Sequence, residues 1–302
     1  MTAPHRGGLA AEFLLLGVLA LLWGSSYLFI KVAVTEIPPV TLIAARASIA
    51  AVFLMAVVRF RGDTLPRDGR TWRLLFIQSF FNATGAWTLL AWGQRYVDSA
   101  LASVLNSTSP IFVFILTTVV FRSVRPEPLK LLGGVLGCTG VVLIVGVDAL
   151  AGLGQQVAGQ LAALTGALLY AFAAIYGSRF RHLSAPVTAA GTMISAAVVL
   201  VPLSLVLDAP WTLSPSPKAI AATLALSVLC TGVAMMIYFR LVHTLGSMGV
   251  ASQAYLRAGV GVLLGMVFLG ETVTMTVGIG LLLAVLGVAA INMPRRVPRI
   301  DP

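Results

Sequence analysis

The chain has 302 residues, 59% of them hydrophobic and only 10% charged, with a formal net charge of +10. Soluble proteins carry about 25% charged residues, so this balance excludes a soluble enzyme, a disordered chain and a nucleic-acid-binding domain despite the basic excess. A mean hydropathy of +0.98 and two cysteines, Cys138 and Cys230, both within apolar runs, point to a polytopic membrane protein with no disulfide framework.

A helix that crosses the hydrocarbon core needs about 20 mainly apolar residues. Breaks at charges, prolines and glycine clusters predict ten such spans, roughly 12–34, 38–58, 72–93, 98–121, 129–147, 158–178, 187–207, 218–240, 247–270 and 275–293. The expected fold class is therefore all-α, with short connections and no room for a soluble domain. His5 and Arg6 before the first span have the look of a secretory signal. That span is too long for a signal core, lacks a small-residue cleavage site and carries Trp23 and Tyr27 inside it.

The cations set the orientation. With the N-terminus in the cytoplasm, the inner segments hold Arg59, Arg61, Arg67, Arg70, Arg73, Arg122, Arg125, Lys130, Arg179, Arg181, Arg240 and the arginines flanking both ends, whereas the outer segments hold only Lys31, Arg95 and Lys218. That asymmetry predicts both termini in the cytoplasm of a cell inner (plasma) membrane protein. The basic charge is thus a topology signal, and no nucleic acid is needed to explain it.

An internal repeat runs through the chain. Pro39-Val40-Thr41 recurs as Pro186-Val187-Thr188, an offset of 147, and Leu21-Leu22-Trp23 falls on Leu168-Leu169-Tyr170 at the same offset. Ala102-Ser103 falls on Ala251-Ser252 at 149, and Gly140 on Gly287 at 147. The order and near-constant offset divide the chain into two five-helix units, 12–147 and 158–293. Five is odd, so the second unit enters the membrane upside down. Inverted repeats are a common construction of secondary transporters, with the substrate site near the midplane where the units meet.

Trp23-Gly24-Ser25-Ser26, followed by Lys31, Pro39 and Arg46, resembles the opening of an EamA domain of the drug/metabolite transporter superfamily. So do Ala102-Ser103 leading to Pro110, and Phe268-Leu269-Gly270-Glu271 before the glycines of the last span. The resemblance covers nearly the whole chain as two consecutive units and implies a ten-helix exporter of small metabolites working by alternating access. Within the superfamily the chain also looks like the aromatic amino-acid exporters. It departs from the pattern at Arg122, where the family has the glutamate matched here by Glu271, and at Gly259, where the second unit often has a proline matched by Pro110. Both positions concern helix ends or kinks.

Polar side chains at membrane depth usually face a bundle interior or an aqueous cavity. Gln78 and Asn82 share a helical face, and their counterparts at an offset of 149 are Ser227 and Thr231. Asn106 heads a polar stretch before Pro110, and proline opens a backbone carbonyl there. Gln253 and Arg257 are again one turn apart, with Tyr255 between them, while Trp23, Tyr27 and Tyr170 come from the first span of each unit. These nine, Trp23, Tyr27, Gln78, Asn82, Asn106, Tyr170, Gln253, Tyr255 and Arg257, are the candidate substrate contacts. Plainer roles stand beside them. Ser227 and Thr231 read as bonding their own preceding carbonyls; Trp23 and Tyr170 fit cavity lining or bundle packing equally; Gln78, Asn82 and Gln253 fit interhelical glue as well as substrate contact. Trp92, Tyr96 and Trp211 read as interface anchors, and Gly133-x-x-x-Gly137 and Gly261-x-x-x-Gly265 as packing or dimer surfaces.

Arg46 and Arg257 each fall near mid-span, where a charge costs at least about 2.5–3.5 kcal/mol. All ten acidic residues fall in loops, tails or span ends, so the expected partners are carbonyls, amides, water or a bound anion. A guanidinium beside Gln253 in a Trp/Tyr-lined cavity suits the carboxylate of an amino acid with an apolar side chain, and pairing of Arg257 with carbonyls alone is the competing account. The resemblance assigns Arg46 a structural role. With no carboxylate and no histidine at the midplane, exchange or export driven by the substrate gradient is expected, without an embedded proton relay. A cationic drug pump lacks its counter-charge, and an ATP-driven pump lacks a phosphate-cradling loop. An integral membrane enzyme acting on a lipid-linked substrate is the alternative, but Asp63 and Asp68, the nearest thing to paired carboxylates, lie in an arginine-rich connection. No cofactor or metal is implied; the partners are a small-molecule substrate and lipid.

Overall fold

The computed structural model describes residues 6–93, 96, 104–124, 126–145, 156–257, 259–260 and 274–293, with only the backbone described at 6–9, 27, 28, 31, 91 and 145. Every long element among these residues is helical. In chain order they are α1 (Arg6–Ala33), α2 (Pro39–Phe60), α3 (Gly69–Ser79), α4 (Gly85–Gly93), α5 (Ser109–Ile115), α6 (Pro128–Val145), α7 (Val157–Gly177), α8 (Ala185–Leu207), α9 (Pro217–Ser227), α10 (Ala234–Thr244), α11 (Gly246–Ala251) and α12 (Met275–Asn292). Single π-helical turns join α3 to α4 (Phe80–Thr84) and α9 to α10 (Val228–Val233), so each pair runs as one long rod. Five helical runs are long and apolar enough to cross a membrane, at Pro39–Phe60, Val157–Phe180, Ala185–Leu207, Pro217–Thr244 and Met275–Asn292, and Ala10–Ser26, Val104–Val120 and Pro128–Ile144 are shorter apolar helices. The span expected at 247–270 is described only as far as Val260. The count of ten therefore rests partly outside the described residues.

Local sequence explains the helix starts. Proline occupies the first turn of α2, α8 and α9, where its missing N–H has no partner to lose. The Asp68 carboxylate caps α3 by accepting from the Thr71 amide at 2.7 Å, and hydrogen bonding from the Thr71 side chain and then its amide holds the Asp68 pKa below the ordinary aspartate value. Glu36, in the turn between α1 and α2, accepts from the Ser216 amide at 2.6 Å and the Ser216 hydroxyl at 2.8 Å. Those two bonds, with Lys218 nearby, hold its carboxyl below the usual range and pin the turn to the start of α9.

Corresponding helices of the two halves pack antiparallel. At one end of the α2–α8 pair, the Thr41 amide and hydroxyl donate to Asp208 at 2.8 and 2.9 Å. At the other, the Ser184 hydroxyl donates to Asp63 at 2.9 Å. Between them Ala44, Ala47, Ala50, Ala189, Ala190 and Ala196 bring the two backbones together in the main core. α6 and α12 lie closer still. A Cβ on Gly140 would come 2.6 Å from the Gly280 carbonyl oxygen, and one on Gly287 2.6 Å from that of Gly133. The Gly133 and Gly137 motif thus serves contact within the chain and is not left as a free dimer face; Gly261 and Gly265 lie outside the described residues. Further contacts also join the two halves. α1 meets α9 and α10, and α7 meets α4. The former is held by Glu12, which pairs with Arg240 at 2.8 Å and accepts from the Thr244 hydroxyl at 2.9 Å. The latter is held by glycine, since Gly93 packs on the Gly159 carbonyl.

Candidate functional site

A cavity of about 350 Å³ lies between the two halves. Ile30 and Val34 at the end of α1, Pro39, Leu42 and Ile43 at the start of α2, and Leu90 and Leu226 form its apolar mouth. Its inner end is polar and aromatic, built from Trp23, Arg46, Trp87, Tyr170 and Arg257. Beyond Trp23 and Arg257 lies a chamber of about 20 Å³, lined also by Ser109, Tyr170, Tyr238 and Gln253. Trp23 packs on Tyr238 at 5.5 Å between ring centres, and Tyr238 meets Phe239 edge-on at 5.1 Å. Both partners are buried, which closes the chamber on that side.

At the far end a second recess, about 300 Å³, is lined by Thr117, Ser123, Glu127, Lys130, Ser178, Arg181 and the turn at Gly246. Lys130 pairs with Glu127 at 3.2 Å. This is the cation-rich end of the bundle.

The two arginines are held differently. Arg46 is 7% exposed; its Nε donates to the Thr231 hydroxyl at 2.6 Å, one Nη reaches the Cys230 carbonyl at 3.5 Å, and its guanidinium lies 3.9 Å above the Trp87 ring. Thr231 in turn donates to the Leu226 carbonyl, five residues back, at 2.8 Å. The π-turn supplies this arrangement, because an extra residue in the turn loosens carbonyls that a regular helix would occupy. Arg46 is therefore both a structural clasp between α2 and the α9–α10 rod and part of the cavity wall, where the sequence suggests only the first role. Arg257 is half-buried, with its guanidinium 5.9 Å from the Trp23 ring. No carboxylate among the described residues pairs with it.

The structure brings together Trp23, Tyr170, Gln253 and Arg257 from the nine expected contacts. Tyr27 has no described side chain. Four others lie away from the cavity. The Gln78 amide donates to the Ala173 carbonyl at 3.1 Å and Asn82 approaches the Met235 sulfur at 3.8 Å, so both hold the α3–α4 rod to its neighbours. Asn106 is buried outside the lining. Tyr255 is fully buried; its ring fills the space that Gly137 leaves, and its hydroxyl donates to the Gly134 carbonyl at 2.9 Å. Spacing tells which residues share a face, not which neighbour that face meets. Trp87 is a wall residue that the sequence does not single out: its single signal is a tryptophan set inside its span, whereas Trp92, Tyr96 and Trp211 lie near the ends, where they are 41%, 47% and 70% exposed.

A helical membrane chain of two matched halves around a polar cavity has the construction of a membrane transporter. The chain belongs to the EamA-like transporter family, whose profile matches residues 11–146 and again 157–293. It is similar to the "Uncharacterized inner membrane transporter YedA" of Escherichia coli (strain K12), 27% identical over 256 residues that cover 85% of this chain and 82% of that protein. It is also similar to the "Uncharacterized transporter YoaV" of Bacillus subtilis (strain 168), 24% identical over 277 residues, 91% of this chain and 94% of that one. A solved structure described as "Crystal structure of protein" superposes with a TM-score of 0.80 at 19% identity, covering 95% of this chain and 99% of the other. That likeness concerns the fold.

Proposed function

We propose that this chain is a secondary transporter of the cell inner membrane that exports small carboxylate-bearing metabolites, chiefly aromatic and hydrophobic amino acids, by alternating access between two inverted units. Arg257 carries this reading. Its guanidinium, unpaired with any carboxylate among the described residues, sits at the inner end of a cavity of about 350 Å³ walled by Trp23, Trp87 and Tyr170. The planar fork of arginine suits a carboxylate, and the aromatic faces accept a flat apolar side chain. With the cation-rich end in the cytoplasm, the cavity opens outward and the recess near Arg181 becomes the closed inner vestibule. A midplane site between inverted units, open to one side, fits a carrier that rocks between two states. Among the described residues no acidic side chain lines the cavity, which disfavours a carboxylate proton relay and a cationic cargo alike.

Counterflow in proteoliposomes, driven by substrate alone without a pH gradient, tests this. Wild-type protein exchanges labelled phenylalanine for internal phenylalanine, and Arg257→Ala loses at least about tenfold of that flux with its melting temperature retained. Undiminished exchange in the variant, or an absolute need for a proton gradient, rejects the proposal.

A further inference from the structure

The small chamber beyond Arg257 holds a polar group that the fold leaves unused. Gln253 is 6% exposed, and its Oε1 has no hydrogen-bond partner among the described residues. An acceptor stripped of water and left unmatched is expensive to keep, and this one lines the chamber together with Arg257, Trp23 and Tyr238. Resting on the carrier reading above, we infer that Gln253 recognises the ammonium group of the substrate, which makes the site selective for α-amino acids with a free amine.

The geometry suits a zwitterion. Residues 253–257 form one helical run, so Gln253 and Arg257, four apart, project side by side from one face. An α-amino acid carries its two charged groups on a single carbon. The carboxylate meets the guanidinium and neutralises it, so the neighbouring ammonium is not repelled and turns a donor to Oε1. A chamber of about 20 Å³ has room for one water-sized group. It accepts an ammonium and refuses an acylated nitrogen. The side chain then extends into the larger cavity toward Trp87 and Leu42. Trp23, whose ring faces both spaces, keeps the guanidinium at the junction.

The test compares phenylalanine with 3-phenylpropanoate, which has the same skeleton and no amine, and with N-acetylphenylalanine. Each is titrated against the purified full chain, with tryptophan fluorescence as the readout. Wild-type protein should bind phenylalanine about tenfold more tightly than 3-phenylpropanoate, and N-acetylphenylalanine more weakly than either. Gln253→Met, similar in length but without the acceptor, should bring phenylalanine and 3-phenylpropanoate within about twofold while leaving 3-phenylpropanoate affinity unchanged. Gln253→Glu, which keeps the acceptor and adds charge, should widen the wild-type gap. A phenylalanine preference that survives Gln253→Met overturns the assignment. If that variant fails to fold, Gln253→Glu decides alone, and a ratio no higher than wild type overturns it. Binding of neither compound to wild type overturns the carrier reading itself, whereas equal binding of both overturns only the role of Gln253.

Discussion

Arg46 and Arg257 look alike in the sequence, each a guanidinium near mid-span with no acid beside it, yet their surroundings divide the work. Arg46 is committed to Thr231 and the face of Trp87; Arg257 looks across Trp23 into two spaces. The unusual placement of both was legible, because charge at membrane depth is rare and functional by default. The bond from Arg46 to Thr231 was not, since the partners are 185 residues apart and a threonine in an apolar helix ordinarily satisfies itself. Trp23 and Tyr170 occupy matched positions in the two halves and both reach the cavity and the chamber. Replacing Tyr170 by alanine is expected to lower the preference for phenylalanine over alanine by about fivefold in competitive counterflow while leaving total flux largely intact. Trp23→Ala should do the same with a greater loss of stability, because Trp23 also packs on Tyr238.

Among elements, the helix ends were easier to foresee than the helix partners. Proline at a first turn and glycine four residues apart are local signals, and α2, α8 and α6 follow them. Which helix each glycine meets is a tertiary fact: Gly140 found Gly280 and Ala284, and nothing within α6 names them. The π-turns were not legible; the sequence offered only a correspondence of polar residues between the halves at those places. The Glu36–Ser216 contact yields a pH prediction. Its carboxyl is held below the ordinary value, so the contact stabilises the folded chain above the unfolded pKa, about 4.3 for glutamate. That contribution is lost as pH falls through the lower folded value. Glu36→Gln should therefore melt below wild type at neutral pH, and the gap should close as the buffer is taken toward about pH 3. Scanning fluorimetry of both proteins across that range checks it; a gap that persists or grows on acidification contradicts the assignment.

For the molecule as a whole, the repeat was legible in the sequence as two units, and the α2–α8 and α6–α12 pairs run antiparallel. Cavity direction was not legible, because either state of the proposed carrier is compatible with the same sequence. In cells expressing a variant free of Cys138 and Cys230, a cysteine at Ile43 should react with a membrane-impermeant maleimide from outside. One at Ser178 should react only after the membrane is opened, and the reverse pattern would invert the orientation. Arg46 has one more effect at this scale. Its counterpart by the repeat offset is Met193, which is fully buried, so among the described residues the guanidinium of Arg46 threads the π-turn of the second half with no matching cation from α8 in the first. Two identical halves would divide their time evenly between facing outward and facing inward. In the proposed carrier, clasping one of them would tilt that balance, and a molecule so weighted would return to the same posture after every cycle, with its empty site waiting on one side of the bilayer.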